Sequence, residues 1–236
     1  MTKAVNILKK LKRAFPWATY KKSLSSGLDL KIDVPRLLGH RQPSTIVDVG
    51  ANTGQTFVRF RHCFPEAMIY SFEPVKATYE LLRANHGDDT NGVLVQKALG
   101  AETRNVSIHV AHESDCSSIK FANNTVGEEV VSQTTLDAFC AEHSISTIDL
   151  LKTDTEGWDI EVLKGAAEML ANHSISLIFA ETTPTPEVVS CTPFGEMTKF
   201  LLGYKYRPYA FYDYGRPYGV LTKPLDVMNV LYVRSD

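Results

Sequence analysis

The stretch TIVDVGANTG, residues 45–54, decides how the rest of the chain is interpreted. Its apolar first half predicts a short buried strand, and Gly50 and Gly54 follow in the turn. Glycines there permit a tight turn and close approach of a ligand, at the start of a helix whose N–H groups point outward. The dinucleotide fingerprint needs a second glycine where Asn52 stands, so this loop disfavours NAD. An ordinary strand-to-helix turn is the alternative.

Outward from this turn, strand-like apolar runs alternate with helix-like segments. We predict strands at 45–49, 68–72, 93–99, 148–153, 176–180, 206–212 and 229–233, and helices at 55–63, 74–86, 136–143, 160–170 and 194–202. The segment 104–134 predicts an insertion of antiparallel strands. The alternation implies an α/β fold with right-handed crossovers and a parallel sheet covered on both faces. Such sheets bind ligands at the carboxyl ends of their strands.

The composition is that of an ordinary globular protein. The 236 residues are 44% hydrophobic and 22% charged, which excludes collagen-like and disordered classes. No run approaches the ~18 apolar residues of a membrane span. The four cysteines are far apart and predict reduced thiols in a cytoplasmic protein.

Charge is distributed unevenly along the chain. The first 28 residues hold seven basic residues and no acidic one, whereas the remainder holds 18 basic and 27 acidic residues. Broad nucleic-acid binding needs a basic surface. The acidic body therefore predicts that nucleic acid is not a partner.

We divide the chain into a basic N-terminal helical extension, residues 1–44, and a catalytic domain, residues 45–236. Residues 1–15 predict an amphipathic helix. Its apolar side chains share one stripe: Val5, Leu8, Leu11 and Phe15. The helix either contacts an anionic membrane surface peripherally or packs on the enzyme or a second subunit with its charges solvated. The sequence leaves the oligomeric state open.

An acidic residue ends the second predicted strand. Glu73 lies 19 residues beyond Gly54. An acid at this distance from a glycine loop is placed to accept hydrogen bonds from ribose hydroxyls. The alternative is an acid that the helix dipole favours at the start of the next helix.

Three more acids follow two other strands. Asp154 and Glu156 come directly after the apolar strand 148–153, and Glu181 closes the next strand. They are candidates to orient an acceptor or to take its proton; the alternative for Glu156 is a helix cap. Three neighbouring acids could also bind a divalent metal, but no ligand spacing supports this, so we predict no metal site.

Weaker candidates lie elsewhere. His109 and His112 would fall on opposite faces of a strand, so they predict no joint metal site. Ser117 and Ser118 either line an acceptor pocket or form a plain turn. The aromatic residues of 204–218 suit sugar rings, although Tyr and Phe are also common strand residues.

Six blocks occur in one order along the chain: TIVDVGANTG, IYSFEP, QKALG, TTLDAF, IDLLKTDTEGWDIEVLKGA and IFAE. Together they resemble the FkbM family of S-adenosylmethionine (SAM)-dependent methyltransferases, over about residues 45–181. The resemblance implies a class I Rossmann-like fold, with a mostly parallel seven-stranded sheet, helices on both faces and an antiparallel last strand. It also implies SAM as the methyl donor.

The resemblance assigns site residues by position. The methionine portion of SAM is surrounded by Asp48, Gly50, Asn52 and Gly54. Glu73 takes the ribose. The adenine is flanked by Lys97, Ala98 and Leu99. Asp154 and Glu156 lie beside the methyl group.

The implied activity is O-methylation of a hydroxyl, of a sugar in a bacterial glycan or of a glycosylated metabolite. A sugar hydroxyl is a weak nucleophile, so a nearby base should take its proton. Asp154 is the first candidate for this base, and Glu156 and Glu181 are next. The alternative function is a nucleotide-binding module or an NAD-linked enzyme without methyl transfer.

Overall fold

A computed structural model describes residue 27 and residues 29–111, 117–120, 125–215 and 225–235. Its helices, in chain order, are α1 (Leu30–Leu37), α2 (Gln55–Cys63), α3 (Lys76–His86), α4 (Leu136–Glu142), α5 (Asp159–Lys164), α6 (Ala167–Ala171) and α7 (Phe194–Leu202). Its strands are β1 (Thr45–Val49), β2 (Met68–Phe72), β3 (Gly92–Val95), β4 (Ala98–Leu99), β5 (Arg104–Ala111), β6 (Thr125–Thr134), β7 (Ile148–Thr153), β8 (Ile175–Thr182), β9 (Tyr206–Gly215) and β10 (Val227–Arg234).

The main sheet has seven strands in the order β3-β2-β1-β7-β8-β10-β9. β1 pairs in parallel with β2 and β7, and the parallel pairing continues to β3 and β8. β10 is antiparallel to both of its neighbours, β8 and β9. The predicted mostly parallel sheet with an antiparallel last strand is therefore confirmed.

Helices cover both faces of this sheet because its strands are apolar on both sides. Successive β1 residues enter different cores: Ile46 packs with α1 and α2, and Val47 packs with α4, α5, α6 and α7. Alternate strand residues point to opposite faces, so one apolar run serves both cores. All six residues of β7 are buried, as expected of a central strand.

The predicted antiparallel insertion forms a second sheet, in the order β4-β6-β5. β5 and β6 pair antiparallel, and their inner side chains form a small apolar cluster with Val75 and Ala98. The predicted single strand 93–99 is wrong in one respect. Its first part belongs to the main sheet, and Ala98–Leu99 pairs with β6 instead. Ala98 is buried in the apolar cluster of the insertion, and its burial there decides that Ala98–Leu99 joins the second sheet.

The helix predicted at 160–170 is two short helices, α5 and α6. Gly165 separates them, and a Cβ at this position would lie 2.1 Å from the carbonyl oxygen of Gly100. The carbonyl of Gly165 accepts a hydrogen bond from the amide of Asp137. These contacts bring the chain close to a neighbouring loop, and the break between the helices lies there.

Several predictions concern the chain ends. The amphipathic helix of residues 1–15 lies outside the described residues, so its role and the domain division at residue 45 stay predictions. Within 29–44 the chain forms α1, which packs on the sheet through Leu30 and Val34. Across the described parts of the chain, no helix is long and apolar enough to cross a membrane.

Candidate active site

A cavity of about 420 Å³ opens at the carboxyl ends of β1, β2, β7 and β8. This is the edge where a parallel α/β sheet binds its ligands, and the volume is in the range of small-molecule sites. Its walls are formed by Val49, Gly50, Asn52, Phe72, Glu73, Pro74, Val75, Lys97, Ala98, Leu99, Ile108, Ser117, Ile119, Asp154, Thr155, Glu156, Trp158, Glu181, Ser190, Cys191 and Val227.

The glycine loop after β1 forms one wall of the cavity. Gly50 has φ +78°, and a Cβ there would lie 1.9 Å from the carbonyl oxygen of Asp154. Only glycine therefore allows this loop to approach the loop after β7. The side-chain oxygen Oδ1 of Asn52 is buried without a hydrogen-bond partner. Such an atom needs a donor, and a bound ligand can supply one.

Glu73 is buried in the wall beside this loop and is 7% exposed. Its Oε2 accepts a hydrogen bond from the amide of Asn52 at 3.1 Å, and its Oε1 accepts one from the amide of Val75 at 2.9 Å. Burial raises the pKa of Glu73 to about 7 against the effect of these bonds. A carboxylate offers about four acceptor positions, so capacity remains for two donors of a ligand.

Lys152 lies under the glycine loop and is almost fully buried. Its Nζ is 3.1 Å from Oδ1 of Asp48 and 3.4 Å from Oδ2 of Asp154, and it donates to the carbonyl of Gly50 at 2.9 Å. Burial alone would lower the pKa of Lys152, but the two carboxylates outweigh it and hold that pKa above its ordinary value. Lys152 thus connects the glycine loop to the loop after β7.

The three predicted acids meet in the cavity. One carboxylate oxygen each of Asp154, Glu156 and Glu181 lies within 4.8 Å of the others. Burial, and then the charge of Asp154, raise the pKa of Glu181 to about 9. Glu181 is therefore protonated at neutral pH. Carboxylate oxygens at this spacing could also hold one hard divalent cation.

Stability should depend on pH through Glu181. Its raised pKa means that its stabilising contribution is complete below about pH 4, the unfolded value, and is lost as pH rises toward about 9. Glu181→Gln, which stays neutral, should lose less stability between about pH 6 and about pH 9, by on the order of 3–4 kcal/mol, since each pH unit below the folded pKa contributes about 1.4 kcal/mol. Thermal unfolding at both pH values measures this. An unchanged pH dependence in the variant would contradict the burial of a protonated Glu181.

The loop from Asp154 to Trp158 presents these groups. Glu156 has φ +50°, and α5 begins without a side-chain cap, so the structure does not support Glu156 as a helix cap. The buried Asp159 accepts from the amide of Thr155 at 3.3 Å and from the hydroxyl of Thr192 at 3.0 Å. The loop is thereby held against the chain that follows β8.

The structure separates some of the predicted cofactor residues from the cavity. Lys97, Ala98 and Leu99 line it, together with Gly50, Asn52 and Glu73. Asp48 does not line it, because it is fully buried beneath the loop with Lys152. Gly54 does not line it either. It directly precedes α2, with a left-handed φ of +105°.

The structure describes the contacts of two weaker candidates, His109 and the aromatic residues of 204–212. Nδ1 of His109 lies 3.2 Å from Oε1 of Glu128 on the neighbouring strand; His112 lies outside the described residues. None of the aromatic residues whose side chains are described in 204–212 lines the cavity. Tyr206 donates to the carbonyl of Ile175, and Tyr212 donates to Asp33 at 2.7 Å. For these residues, the expectation of a sugar-facing role is not supported.

Sequence reasoning missed three residues of the site. Lys152 was recognisable as a charge inside an apolar strand, a position that requires a buried partner. Trp158 lines the cavity and its indole Nε1 is buried without a hydrogen-bond partner. The buried Cys191 lies with its Sγ 3.5 Å from Oε2 of Glu181. No local pattern distinguishes Trp158 or Cys191 from ordinary core residues.

Most of the chain matches a family of known proteins. The family described as "Methyltransferase FkbM domain" matches residues 48–208. The 2-O-methyltransferase NoeI of Sinorhizobium fredii (strain NBRC 101917 / NGR234) is 28% identical over an alignment of 162 residues that covers 62% of this chain and 66% of that protein. This chain therefore spans just under two thirds of that relative.

Two solved structures are similar to parts of this chain. The MTase domain of METTL16 is 9% identical, with a TM-score of 0.51 over 87% of this chain and 66% of that one. Fibrillarin of Aeropyrum pernix, solved with natively bound SAM, is 13% identical, with a TM-score of 0.48 over 82% of this chain and 67% of that one. METTL16 shows the fold, and the family match covers most of the chain. The protein belongs to the FkbM family of SAM-dependent methyltransferases.

Proposed function

We propose that the protein transfers a methyl group from SAM to a hydroxyl of a sugar, in a glycan or a glycosylated metabolite. The observation that carries this proposal is that one cavity is lined by Glu73, the candidate hydrogen-bond acceptor for a ribose, and by the three acids Asp154, Glu156 and Glu181. The hydroxyl acceptor is supported by the name of the relative NoeI, a 2-O-methyltransferase. The sugar is our inference from the family's association with glycans.

The residues around the glycine loop fit SAM. The two remaining acceptor positions of Glu73 match the two ribose hydroxyls, and the buried Oδ1 of Asn52 lacks the donor that a ligand can provide. Leu99 and Ala98 offer an apolar wall for the adenine, with Lys97 beside it. Asp48 then acts indirectly, since its contact is with Lys152 beneath the loop. SAM, when bound, supplies an electrophilic methyl group.

The acids act on the acceptor. Asp154 is 32% exposed at its side chain, so an acceptor hydroxyl can reach it, and Lys152 keeps it oriented. Asp154 accepts the proton of that hydroxyl as the new bond forms. Glu181 is neutral at physiological pH and adds no charge, and Glu156 orients the acceptor. Holding the reacting atoms in line supplies much of the remaining rate.

Removing Glu73 should weaken SAM binding. Glu73→Ala deletes the partner of two hydroxyls, so about 2 kcal/mol should be lost, or ~30-fold in the dissociation constant. Isothermal titration with SAM measures this. Glu129→Ala is the matched control, because the carboxylate of Glu129 also accepts from a backbone amide, that of Lys76, but outside the cavity. An unchanged affinity in Glu73→Ala would contradict the ribose assignment.

The activity itself is tested by incubating the protein with SAM and a bacterial glycan fraction, and by mass spectrometry of the products. Parallel incubations replace the glycan fraction with free sugars or with an RNA fraction, and a further one adds a metal chelator to the glycan fraction. Methylated glycan supports the proposal, and methylation of RNA alone would overturn it. Loss of activity with the chelator would contradict the predicted absence of a metal. The cytoplasmic location stays a prediction from composition.

A further inference from the structure

The hydroxyl of Ser118, in the insertion between β4 and β7, contacts the loop after β7, which carries Asp154 and Glu156. Ser118 is 3% exposed, and its Oγ donates to the backbone carbonyl of Glu156 at 2.9 Å. The backbone of Ser118 is fixed in turn, since it exchanges two hydrogen bonds with His109 of β5 at 2.9 and 3.1 Å. The Oγ of Ser118 therefore attaches the insertion to the loop after β7.

The carbonyl that Ser118 contacts belongs to an unusual stretch of backbone. Glu156 has φ +50° and Gly157 has φ +82°. A left-handed conformation is unfavourable for a residue with a Cβ and persists where the surroundings hold it. Asp159 holds the loop from the other side through the amide of Thr155 and the hydroxyl of Thr192. Ser118 supplies the contact on the side of the insertion.

The orientation of this backbone decides where the side chain of Glu156 points. In the structure its carboxylate lies with those of Asp154 and Glu181, within 4.8 Å. The φ of Glu156 is positive only while this backbone is held. If the anchor at its carbonyl were lost, a return to negative φ would turn the Cα–Cβ bond and move the carboxylate away from this group. The neighbours of Ser118 on the insertion, Ser117 and Ile119, line the same cavity.

We propose that Ser118 is a positioning residue, which holds the Glu156 carboxylate among the acids by anchoring the Glu156 carbonyl to the insertion. This rests on the proposed function, in which Glu156 orients the acceptor. Ser118 also has a local contact, because its Oγ accepts from the amide of Lys120 at 3.0 Å. The rival explanation is that Ser118 only shapes this turn, and the experiment must separate the two.

The first measurement is steady-state methyl transfer. Ser118→Ala should lower kcat about 5–10-fold, the effect of one lost hydrogen bond, and leave the KM for SAM within about twofold. Ser118→Thr, which keeps the hydroxyl, should restore kcat. Ser107→Ala is the matched control, since Ser107 donates to Glu128 on the same hairpin, outside the cavity. Normal kcat in Ser118→Ala would overturn the proposal.

A double-mutant cycle with Glu156→Gln identifies the route. If Ser118 acts through Glu156, Ser118→Ala should lower kcat no further once Glu156→Gln is present. A full additional loss in the double variant would overturn the proposal and favour the local role in the turn.

Hydrogen–deuterium exchange of the protein alone needs no acceptor. Ser118→Ala should raise exchange about fivefold or more in residues 154–159, and Ser107→Ala should leave it unchanged. An equal rise across the whole hairpin, or none in 154–159, would overturn the proposal. If the unmutated protein methylates nothing offered to it, the proposed function fails, and the exchange result still decides whether Ser118 holds this loop.

Discussion

Lys152→Met should lower the free energy of unfolding by about 3–5 kcal/mol, because it leaves a buried carboxylate without its counter-ion. Asp48 is fully buried, and Nζ of Lys152 lies 3.1 Å from its Oδ1. The substitution also removes the hydrogen bond to the carbonyl of Gly50. Chemical denaturation at neutral pH measures the loss.

Two further variants show whether the buried charge is the cause. Adding Asp48→Asn to Lys152→Met removes the orphaned charge and should recover a substantial part of the stability. Lys164→Met is the control, since Lys164 forms an exposed ion pair with Glu161 and should cost less than about 1 kcal/mol. A loss that is equally small in Lys152→Met would mean that the buried pair is not held as described.

Asp154→Asn should reduce methyl-transfer turnover ~10²-fold or more, the effect of losing a general base. The amide keeps the shape of the side chain and removes its ability to take a proton. SAM affinity should change much less, because Asp154 contacts Lys152 and the other acids rather than the ribose acceptor Glu73. Turnover and the SAM dissociation constant are measured on the same preparation.

Glu161→Gln serves as the control for this variant, since Glu161 pairs with Lys164 outside the cavity. Near-normal turnover in Asp154→Asn would move the role of base to Glu156, because the raised pKa of Glu181 keeps that residue protonated at neutral pH, and Glu156→Gln and Glu181→Gln test the two remaining acids. If all three single variants kept their turnover, positioning alone would account for the rate.

The alternation of strands and helices, and the strand ends at which the candidate site lies, followed from local sequence. The apolar runs at Thr45–Val49 and Ile148–Thr153 are long enough for buried strands and are bounded by polar turns. Glu73 and Asp154 come directly after such strands. Since parallel strands end at one edge of the sheet, residues that follow them must meet there.

The limits of the third and fourth strands show where local sequence was insufficient. Residues 93–99 were predicted as one strand, but the chain changes sheets within them, because Ala98 is buried against the insertion. Gly165 likewise divides a helical pattern where it approaches Gly100. Both outcomes depend on segments distant in the chain, which periodicity does not register.

The sequence by itself determined the alternating fold, the family and the acids at the strand ends, because these depend on residue type and on position along a strand. The tertiary structure decided the chemistry of those acids. The raised pKa of Glu181 comes from burial beside Asp154, and Lys152 pairs with Asp48 across neighbouring strands. Desolvation and charge proximity act through space, so only the packed chain fixes which carboxylate is charged and which holds a proton.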